Sequence, residues 1–441
     1  MKEDFSHLKH KVIDQGLCAR CGTCVGICPV RVIATDSSRY PILIDECIAC
    51  GLCNACCPGA DVDFPALAAE MDGYVGNYDN LLGCVEHTYV SHSTSTEVRH
   101  SGASGGIVTA LLLYLLKKGR IDGAVIVGVD PGRPYMTKGI LATTPEEIKA
   151  GALSKYCVTP SMEVLQEIRK RKGKFAVVAL PCQIHGLKKL AEADPGLYEK
   201  IEVIFGLYCA CNMEPNAHLE AMQVAGVDKE EVAAFHYRGG DWPGGLAVRK
   251  KDERVIPLHR VETYNTIINV MFRLFGAKRC YLCIDGLAEF ADLSFGDFWA
   301  FDYSDEFSKL ERCTLVSQRS NKGLQILMDA ERDGAIINHL LPADRISKRT
   351  LSMVRGKRSR ARIYMAKRRR KKLPNPDYHV PIGEPYFRDR KKNITYDILG
   401  RFRNPPMRKL ILAVMFSPLI GVLLHRLNRQ RMRISGQYHN N

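Results

Sequence analysis

Between His100 and Tyr208 the chain alternates short, wholly apolar runs with segments whose apolar residues recur every three or four positions. Ile107 to Leu116 reads as an apolar helix, opened by Ser101-Gly-Ala-Ser-Gly-Gly106 and closed by Lys117, Lys118 and Gly119. Ile121 to Val129 reads as a strand buried on both faces. Phe175 to Leu180 and Val203 to Tyr208 read likewise, each ending just before a cysteine-containing loop. Helical periodicity fits Met162 to Arg171, Leu187 to Glu192 and Pro215 to Val224. The alternation predicts an α/β or α+β body, a mixed or parallel sheet flanked by helices, with ligand sites at strand carboxyl ends.

On either side of this body the pattern changes. Residues 63–96 hold no sustained period and carry turn chemistry at Gly73, Gly76, Asn77, Asp79 and Asn80, which predicts a connector; Cys84 and His87 there have no partner at ligand spacing. Past Asp344 come Arg355-Gly-Lys-Arg-Ser-Arg-Ala-Arg362 and Lys367-Arg-Arg-Arg-Lys-Lys372, then Pro374, Pro376 and Pro381, so a basic helix followed by extended chain is expected. Leu410 to Leu424 is almost wholly apolar, interrupted by Ser417, Pro418 and Gly421 and flanked by Arg408, Lys409, His425, Arg426 and Arg429. As helix it reaches only about 22 Å against a hydrocarbon core of roughly 30 Å. It suits an anionic membrane surface or a docking site on protein better than a membrane crossing.

The cysteines add the sharpest chemistry. Cys18, Cys21, Cys24, Cys28 and Pro29 form C-x-x-C-x-x-C-x-x-x-C-P, and Cys47, Cys50, Cys53, Cys57 and Pro58 repeat it. This is the bacterial two-cluster ferredoxin run, in which three thiolates hold one [4Fe-4S] cube and the fourth crosses to the other. The expected sets are Cys18, Cys21, Cys24 and Cys57 for one cluster and Cys47, Cys50, Cys53 and Cys28 for the second. Structural zinc would not need the duplicated fourth cysteine before proline. Cys56 is a spare beside Cys57.

The chain has 441 residues, enough for two or three units, and its 46% hydrophobic residues suffice for a real core. The segments are read as a ferredoxin module over 1–62, the connector over 63–96, the body over 97–345 and a basic tail over 346–441. Seventeen cysteines with no apolar run before Cys18 predict a reducing, cytoplasmic setting, with peripheral attachment at the cytoplasmic membrane face as the alternative for the tail. The net charge of +15 divides unevenly: from Asp344 onward 26 Lys and Arg face 5 Asp and Glu, so the body is mildly acidic and the tail strongly basic.

Within the body, the 101–106 loop before a helix amino terminus suits a phosphate, because free N–H groups and the helix dipole favour an anion there. Pro181-Cys-Gln-Ile-His-Gly186 and Gly206-Leu-Tyr-Cys-Ala-Cys-Asn212 each follow a strand, and Lys278-Arg-Cys-Tyr-Leu-Cys-Ile-Asp285 adds a C-x-x-C pair. Two strand-end cysteines plus that pair would supply four thiolates to a third metal site. The pair alone is equally a redox dithiol or half a zinc site.

Together these pieces resemble the beta-subunit family of coenzyme F420 hydrogenases and dehydrogenases, whose relatives include hydroxymethyl-chlorophyll reductases. The match rests on loop 101–106, Ile121-Asp-Gly-Ala, Ser154-Lys-Tyr156, Pro181-Cys-Gln183, Gly206-Leu-Tyr-Cys209, Tyr237-Arg-Gly-Gly-Asp-Trp-Pro-Gly244 and the run Cys280 to Asp297. The resemblance implies an FAD-dependent iron-sulfur oxidoreductase. It implies FAD held by Ser101, Ser104, Gly105, Gly106, Lys155, Tyr156 and Gln183, and a third [4Fe-4S] cluster on Cys182, Cys209, Cys280 and Cys283, with Cys211 the rival to Cys209. Lys155, as support for negative charge on the flavin, and His185, as a proton donor, are the candidate catalytic residues. The match fades after about residue 345, so the electron carrier stays open among coenzyme F420, ferredoxin, another subunit and an organic substrate. The competing class is a non-catalytic iron-sulfur protein whose basic tail binds nucleic acid or membrane. For nucleic acid no recognition motif accompanies the charge.

Overall fold

The structure, a computed structural model, describes residues 4–71, 80–240, 242, 244–258, 264–402 and 404–417. Gly73, Gly76, Asn77 and Asp79, Asp241 and Pro243, and the apolar and basic residues from 418 onward lie outside them. A short ribbon, β1 (Ile33–Thr35) and β2 (Pro41–Leu43), belongs to the amino-terminal module. The body is built on an eight-stranded mixed sheet of order β13-β3-β12-β11-β7-β6-β4-β5, formed by β3 (His87–Ser93), β4 (Gly123–Asp130), β5 (Arg133–Ala142), β6 (Phe175–Ala179), β7 (Ile201–Leu207), β11 (Leu293–Asp297), β12 (Thr314–Gln318) and β13 (Ile336–Leu341). Strands β4, β6, β7 and β11 run parallel in the middle, and antiparallel strands close both sides. A separate antiparallel sheet holds β8 (Val232–Gly239), β9 (Gly245–Lys250) and β10 (Val255–Pro257).

The central strands are runs of Ala, Val, Ile and Phe because both of their faces are covered. Helix α1 (Ile107–Lys117) lays Leu111 and Leu115 against Ala124, Phe205 and Phe295. Each such fully buried side chain contributes roughly 1.5–3 kcal/mol. On the opposite face α2 (Pro181–Ala193) brings Ile184 and Leu187 into a core that also contains Leu17, Ile27 and Phe64, so the amino-terminal module and the body share one hydrophobic interior. Gly26 is needed at that seam, since a Cβ there would stand 2.1 Å from the Met162 carbonyl oxygen. A third core joins α3 (Ala217–Val224), α4 (Tyr264–Phe275) and the second sheet.

Two expectations change. The connector is not structureless: β3 lies inside the sheet, paired on both sides, and Asp63 caps a helix over Phe64–Ala69. Nor is the basic stretch a free tail. It forms α5 (Lys348–Arg370), which buries Val354, Lys357, Arg358, Arg360, Ala361 and Met365. The proline segment after it is extended as expected, and it returns to the amino-terminal module, where Val62 N–H donates to the Asp377 carbonyl at 2.9 Å. Two further helices, α6 (Phe387–Leu399) and α7 (Pro405–Phe416), pack on the body. The part of the apolar segment within α7 docks on protein through buried Leu412, and 418–424 lies outside the described residues.

Candidate functional site

The amino-terminal cysteines fall around two small cavities. One is lined by Cys18, Cys21, Cys24 and Cys57, the other by Cys28, Cys47, Cys50 and Cys53, so the tertiary structure groups the same fours as the crossed repeat. Gly22 and Gly51 take φ of +88° and +81°, the left-handed turns that let each loop wrap a cavity. Backbone N–H groups of Arg20, Ala49 and Gly59 each reach a sulfur two residues back at 3.4 Å, an arrangement that favours thiolate over thiol. Burial, and then the neighbouring thiols, push Cys18 up to about 12; burial and Cys21 push Cys57 up to about 11. Four sulfurs crowded out of water cannot all ionise alone. A cationic cluster would let them, and the donor set fits one. Among the described residues no group of three or more His, Cys, Asp or Glu converges closely enough for a single metal ion. A four-iron cube spaces its thiolates more widely than one ion does.

A third set is assembled from distant elements. Cys182 stands in the first turn of α2, just after β6; Cys209 follows β7; Cys280 and Cys283 belong to the turn after α4. Burial raises the Cys182 thiol, and then the charges of Cys21, Cys280, Cys283 and Cys209 raise it further, which places this set beside the first amino-terminal cavity. Cys209 feels Cys280 and Cys283, whereas the neighbouring Cys211, whose Sγ donates to the Asn212 carbonyl at 3.4 Å, is the main influence holding the Cys280 thiol below its ordinary value.

Positive charge beneath this set comes from α5. Lys357, 2% exposed, donates to the Cys209 carbonyl at 2.7 Å, and Arg360 donates to the Ala210 carbonyl at 2.9 Å. Burial would discharge Lys357, but Cys209, Cys283 and Cys280 outweigh it and hold the ammonium charged. Arg279, also buried, ties the module to the body by donating to the Leu17 and Gly59 carbonyls at 2.8 and 3.1 Å. Sequence reading missed these cations because a basic run reads as solvated. The available signal was the spacing of Val354, Arg358, Ala361 and Met365, one helix face bearing three apolar residues.

Against the third set lies a cavity of about 530 Å³ at the carboxyl ends of β6, β7 and β11, within the usual range for a cofactor site. Ser104, Gly106, Lys155, Tyr156 and Gln183 line it, together with Cys209 and Cys211. Gly106, with φ of +70°, turns the loop into α1, whose amino terminus has no side-chain cap and opens on the cavity. Gly105 is pressed against the sheet, its N–H donating to Thr314 Oγ1 at 2.9 Å, and Ser104 Oγ shares that hydroxyl at 2.9 Å. Gln183 is held rigid: its amide nitrogen donates to the Thr159 carbonyl at 3.0 Å and to Ser161 Oγ at 2.8 Å, while its oxygen accepts from Leu180 N–H at 2.7 Å. Lys155 Nζ donates to the Gly151 and Ala152 carbonyls at 2.6 and 2.7 Å, and burial lowers its ammonium to about 8.

Ser101 lines an adjoining cavity of about 350 Å³ that shares Gly102 and Lys155 with the first and is otherwise rich in cations, including Lys149, Arg238 and Arg312. His185 stands elsewhere. Its Nε2 lies 3.1 Å from Asp285 Oδ2, and its ring packs between Phe64 and Phe290 at the seam of module and body. Asp285 in turn accepts from the N–H groups of Leu287 and Ala288 at 3.0 and 2.8 Å, so His185 braces the turn that follows Cys283 and does not face the cavity.

A twin-cavity cysteine module joined to an α/β body with a cofactor-sized cavity defines an iron-sulfur oxidoreductase type of architecture. Residues 10–58 match a 4Fe-4S dicluster domain, residues 88–166 the amino-terminal part of the coenzyme F420 hydrogenase/dehydrogenase beta subunit, and residues 172–341 its carboxy-terminal part. The chain is 30% identical to coenzyme F420 hydrogenase subunit beta of Methanothermobacter thermautotrophicus, over 49% of this chain and 74% of that one. It is also 30% identical to the coenzyme F420-dependent sulfite reductase of Methanocaldococcus jannaschii, over 65% of this chain but only 43% of that protein. A subunit in the F420-reducing [NiFe] hydrogenase complex of Methanosarcina barkeri has the same fold, with a TM-score of 0.52 at 21% identity over 66% of this chain and 95% of that one. The chain belongs to the coenzyme F420 hydrogenase/dehydrogenase beta-subunit family.

No described helix is long and apolar enough to cross a membrane. The family match ends at residue 341, so α5 and its buried cations are an addition to the matched region.

Proposed function

We propose that this chain is an FAD-dependent iron-sulfur oxidoreductase that moves electrons between a reduced carrier, coenzyme F420 or ferredoxin, and a substrate or partner subunit. The reading is carried by one observation: the large cavity has Cys209 and Cys211 in its wall, and the thiol set beyond that wall also feels Cys21 of the amino-terminal module. A flavin exchanges a two-electron hydride for single electrons, which is the chemistry that such a junction requires. The uncapped amino terminus of α1 binds a phosphate of the cofactor, and Gly105 and Gly106 let the loop before it press against β3, β12 and the Val98 backbone, which holds that terminus in place. Gln183 and Tyr156 form a fixed wall. Lys155 holds its positive end on the turn 151–153, at the border of both cavities. The cationic neighbour cavity receives an anionic substrate or carrier. Cys182, Cys209, Cys280 and Cys283 hold the third cluster, with Lys357 and Arg360 supplying fixed positive charge beneath it.

The nucleic-acid alternative loses the middle of α5, because Lys357, Arg358 and Arg360 are buried and cannot meet a phosphate backbone, which leaves Lys348, Arg355, Arg369 and Arg370 as its exposed cations. Chain purified without oxygen should contain about twelve iron atoms, four per cube, and one FAD. Reduced coenzyme F420, reduced ferredoxin and NAD(P)H, added in turn, identify the donor by bleaching the flavin absorbance. Bleaching by NAD(P)H alone would remove both preferred carriers. A chain that takes up no flavin on reconstitution would remove the flavoprotein reading altogether.

A further inference from the structure

Helices α6 and α7 turn an apolar stripe away from the molecule. On α6, Asp389, Asn393 and Tyr396 face inward, while Phe387, Lys391, Ile394 and Ile398 follow the opposite face at helical spacing. Phe387 is 85% exposed and Ile394 54%. On α7, Arg408 pairs with Glu220 of α3 and Leu412 is buried, while Met407, Leu410 and Val414 point outward, Leu410 at 58% exposure. Core-packed surface helices put their apolar stripe inside. Here both helices also carry one outside.

The charges are sorted as well. The segment 385–417 contains two acids, Asp389 and Asp397. Both are engaged by α5, Asp389 with Arg362 at 3.0 Å and Asp397 with the Tyr364 hydroxyl at 3.1 Å and with Lys367. Arg388, Arg390, Lys391 and Arg401 are exposed. An apolar stripe rimmed by cations, with Asp389 buried and Asp397 paired with α5, complements a surface that is anionic outside and hydrocarbon within.

We propose that the outward faces of α6 and α7 dock the protein on an anionic phospholipid membrane, the helices lying in the interface. A nucleic acid would satisfy the cations and leave Ile394, Ile398 and Leu410 in water. A second copy of the same face would bring like charges together. The membrane surface accounts for both features at once, and the proposal is independent of the flavin and cluster chemistry.

Flotation of the full-length protein with phosphatidylcholine vesicles, with and without phosphatidylglycerol, tests it. Binding is expected with the anionic vesicles, falling as salt rises. The double change Ile394→Asp and Leu410→Asp should abolish it, and Arg388→Gln with Lys391→Gln should weaken it on the order of tenfold. Iron and flavin contents should match the unaltered protein in all cases, which shows that the variants are folded. Equal binding to neutral and anionic vesicles, no binding to either, unchanged binding by the Asp variant, or a dimer in light scattering that the Asp change disperses without vesicles would each overturn the proposal.

Discussion

Two basic stretches of this chain meet opposite fates. In α5, Lys357, Arg358 and Arg360 are buried beneath a set of thiols and aromatic rings; in α6, Arg388, Arg390 and Lys391 stand in water while Asp389 is buried and Asp397 pairs with Lys367. Charge density does not explain the outcome, since α5, with eleven Lys and Arg and no acid in 23 residues, is the one that buries cations, and α6, with four and two acids in 13, leaves Arg388, Arg390 and Lys391 exposed. What separates them is the company on the buried face. Lys357 and Arg360 meet carbonyl oxygens and sulfurs and Arg358 meets Glu289 at 3.3 Å, so each cation has a reason to remain charged out of water. Among the described residues, Arg388, Arg390 and Lys391 of α6 form no ion pair, and the two acids of that helix already serve α5.

The comparison can be broken at several points, most severely at the thiols that the buried cations face. Cys280→Ala should reduce iron from about twelve to about eight atoms per chain, with the amino-terminal clusters still visible by electron paramagnetic resonance. Retention of twelve would mean that Cys211 replaces it, and eight already in the unaltered chain would mean that the third site is not a cluster. Next comes Lys357→Met. Removing one member of a buried charged group should cost roughly 3–5 kcal/mol in unfolding free energy, and a redox titration should show the third cluster harder to reduce, since a nearby positive charge is gone. An unshifted potential would make Lys357 a packing residue only.

His218 tests the same rule from the other side, as a buried base with no anion. Burial, and then Arg39, lower its imidazole to about 4, so the folded protein leaves it neutral where the unfolded chain protonates it. The folded value is below the unfolded one of about 6.5. Stability is therefore full above that value and falls as pH drops from about 6.5 towards 4, by about 2 kcal/mol at pH 5. His218→Gln should flatten that part of the denaturation profile. The smallest effect is expected from Arg388→Gln with Lys391→Gln, within about 0.5 kcal/mol in stability, since exposed cations contribute little to folding. A larger loss would mean that α6 depends on them for its place on the body.

Legibility in the sequence followed the range of the interactions. Helix α1 and strands β4, β6 and β7 were read to within a few residues because their patterns are local and continuous. Strand β3 was missed: the turn residues before it dominated, and His87 to Ser93 becomes a strand only through pairing with β12 and β13, more than two hundred residues away in the chain. His185 is expected as a proton donor near the flavin, but Asp285, distant in the chain, decides where its ring points. Ser101, expected at the same cofactor as Ser104, faces the neighbouring cavity because the loop reverses at Gly102, where a Cβ would stand 2.8 Å from Gly106 Cα.

The sequence by itself determined what is written in short spacing: the duplicated cysteine run, the Gly-rich loop before an apolar helix, the buried parallel strands and the family to which they belong. The crossed assignment of Cys28 and Cys57 came from the known two-cluster run, in which the fourth thiolate crosses to the other cube. Only the tertiary structure decided that Cys21 neighbours Cys182, that the third thiol set borders the large cavity, and that the basic stretch splits into a buried cationic floor and an outward-facing surface. Those outcomes depend on which elements pack together. Whether a lysine is buried is set by the anions and carbonyls that distant segments bring to it, and no local pattern of charge carries that information.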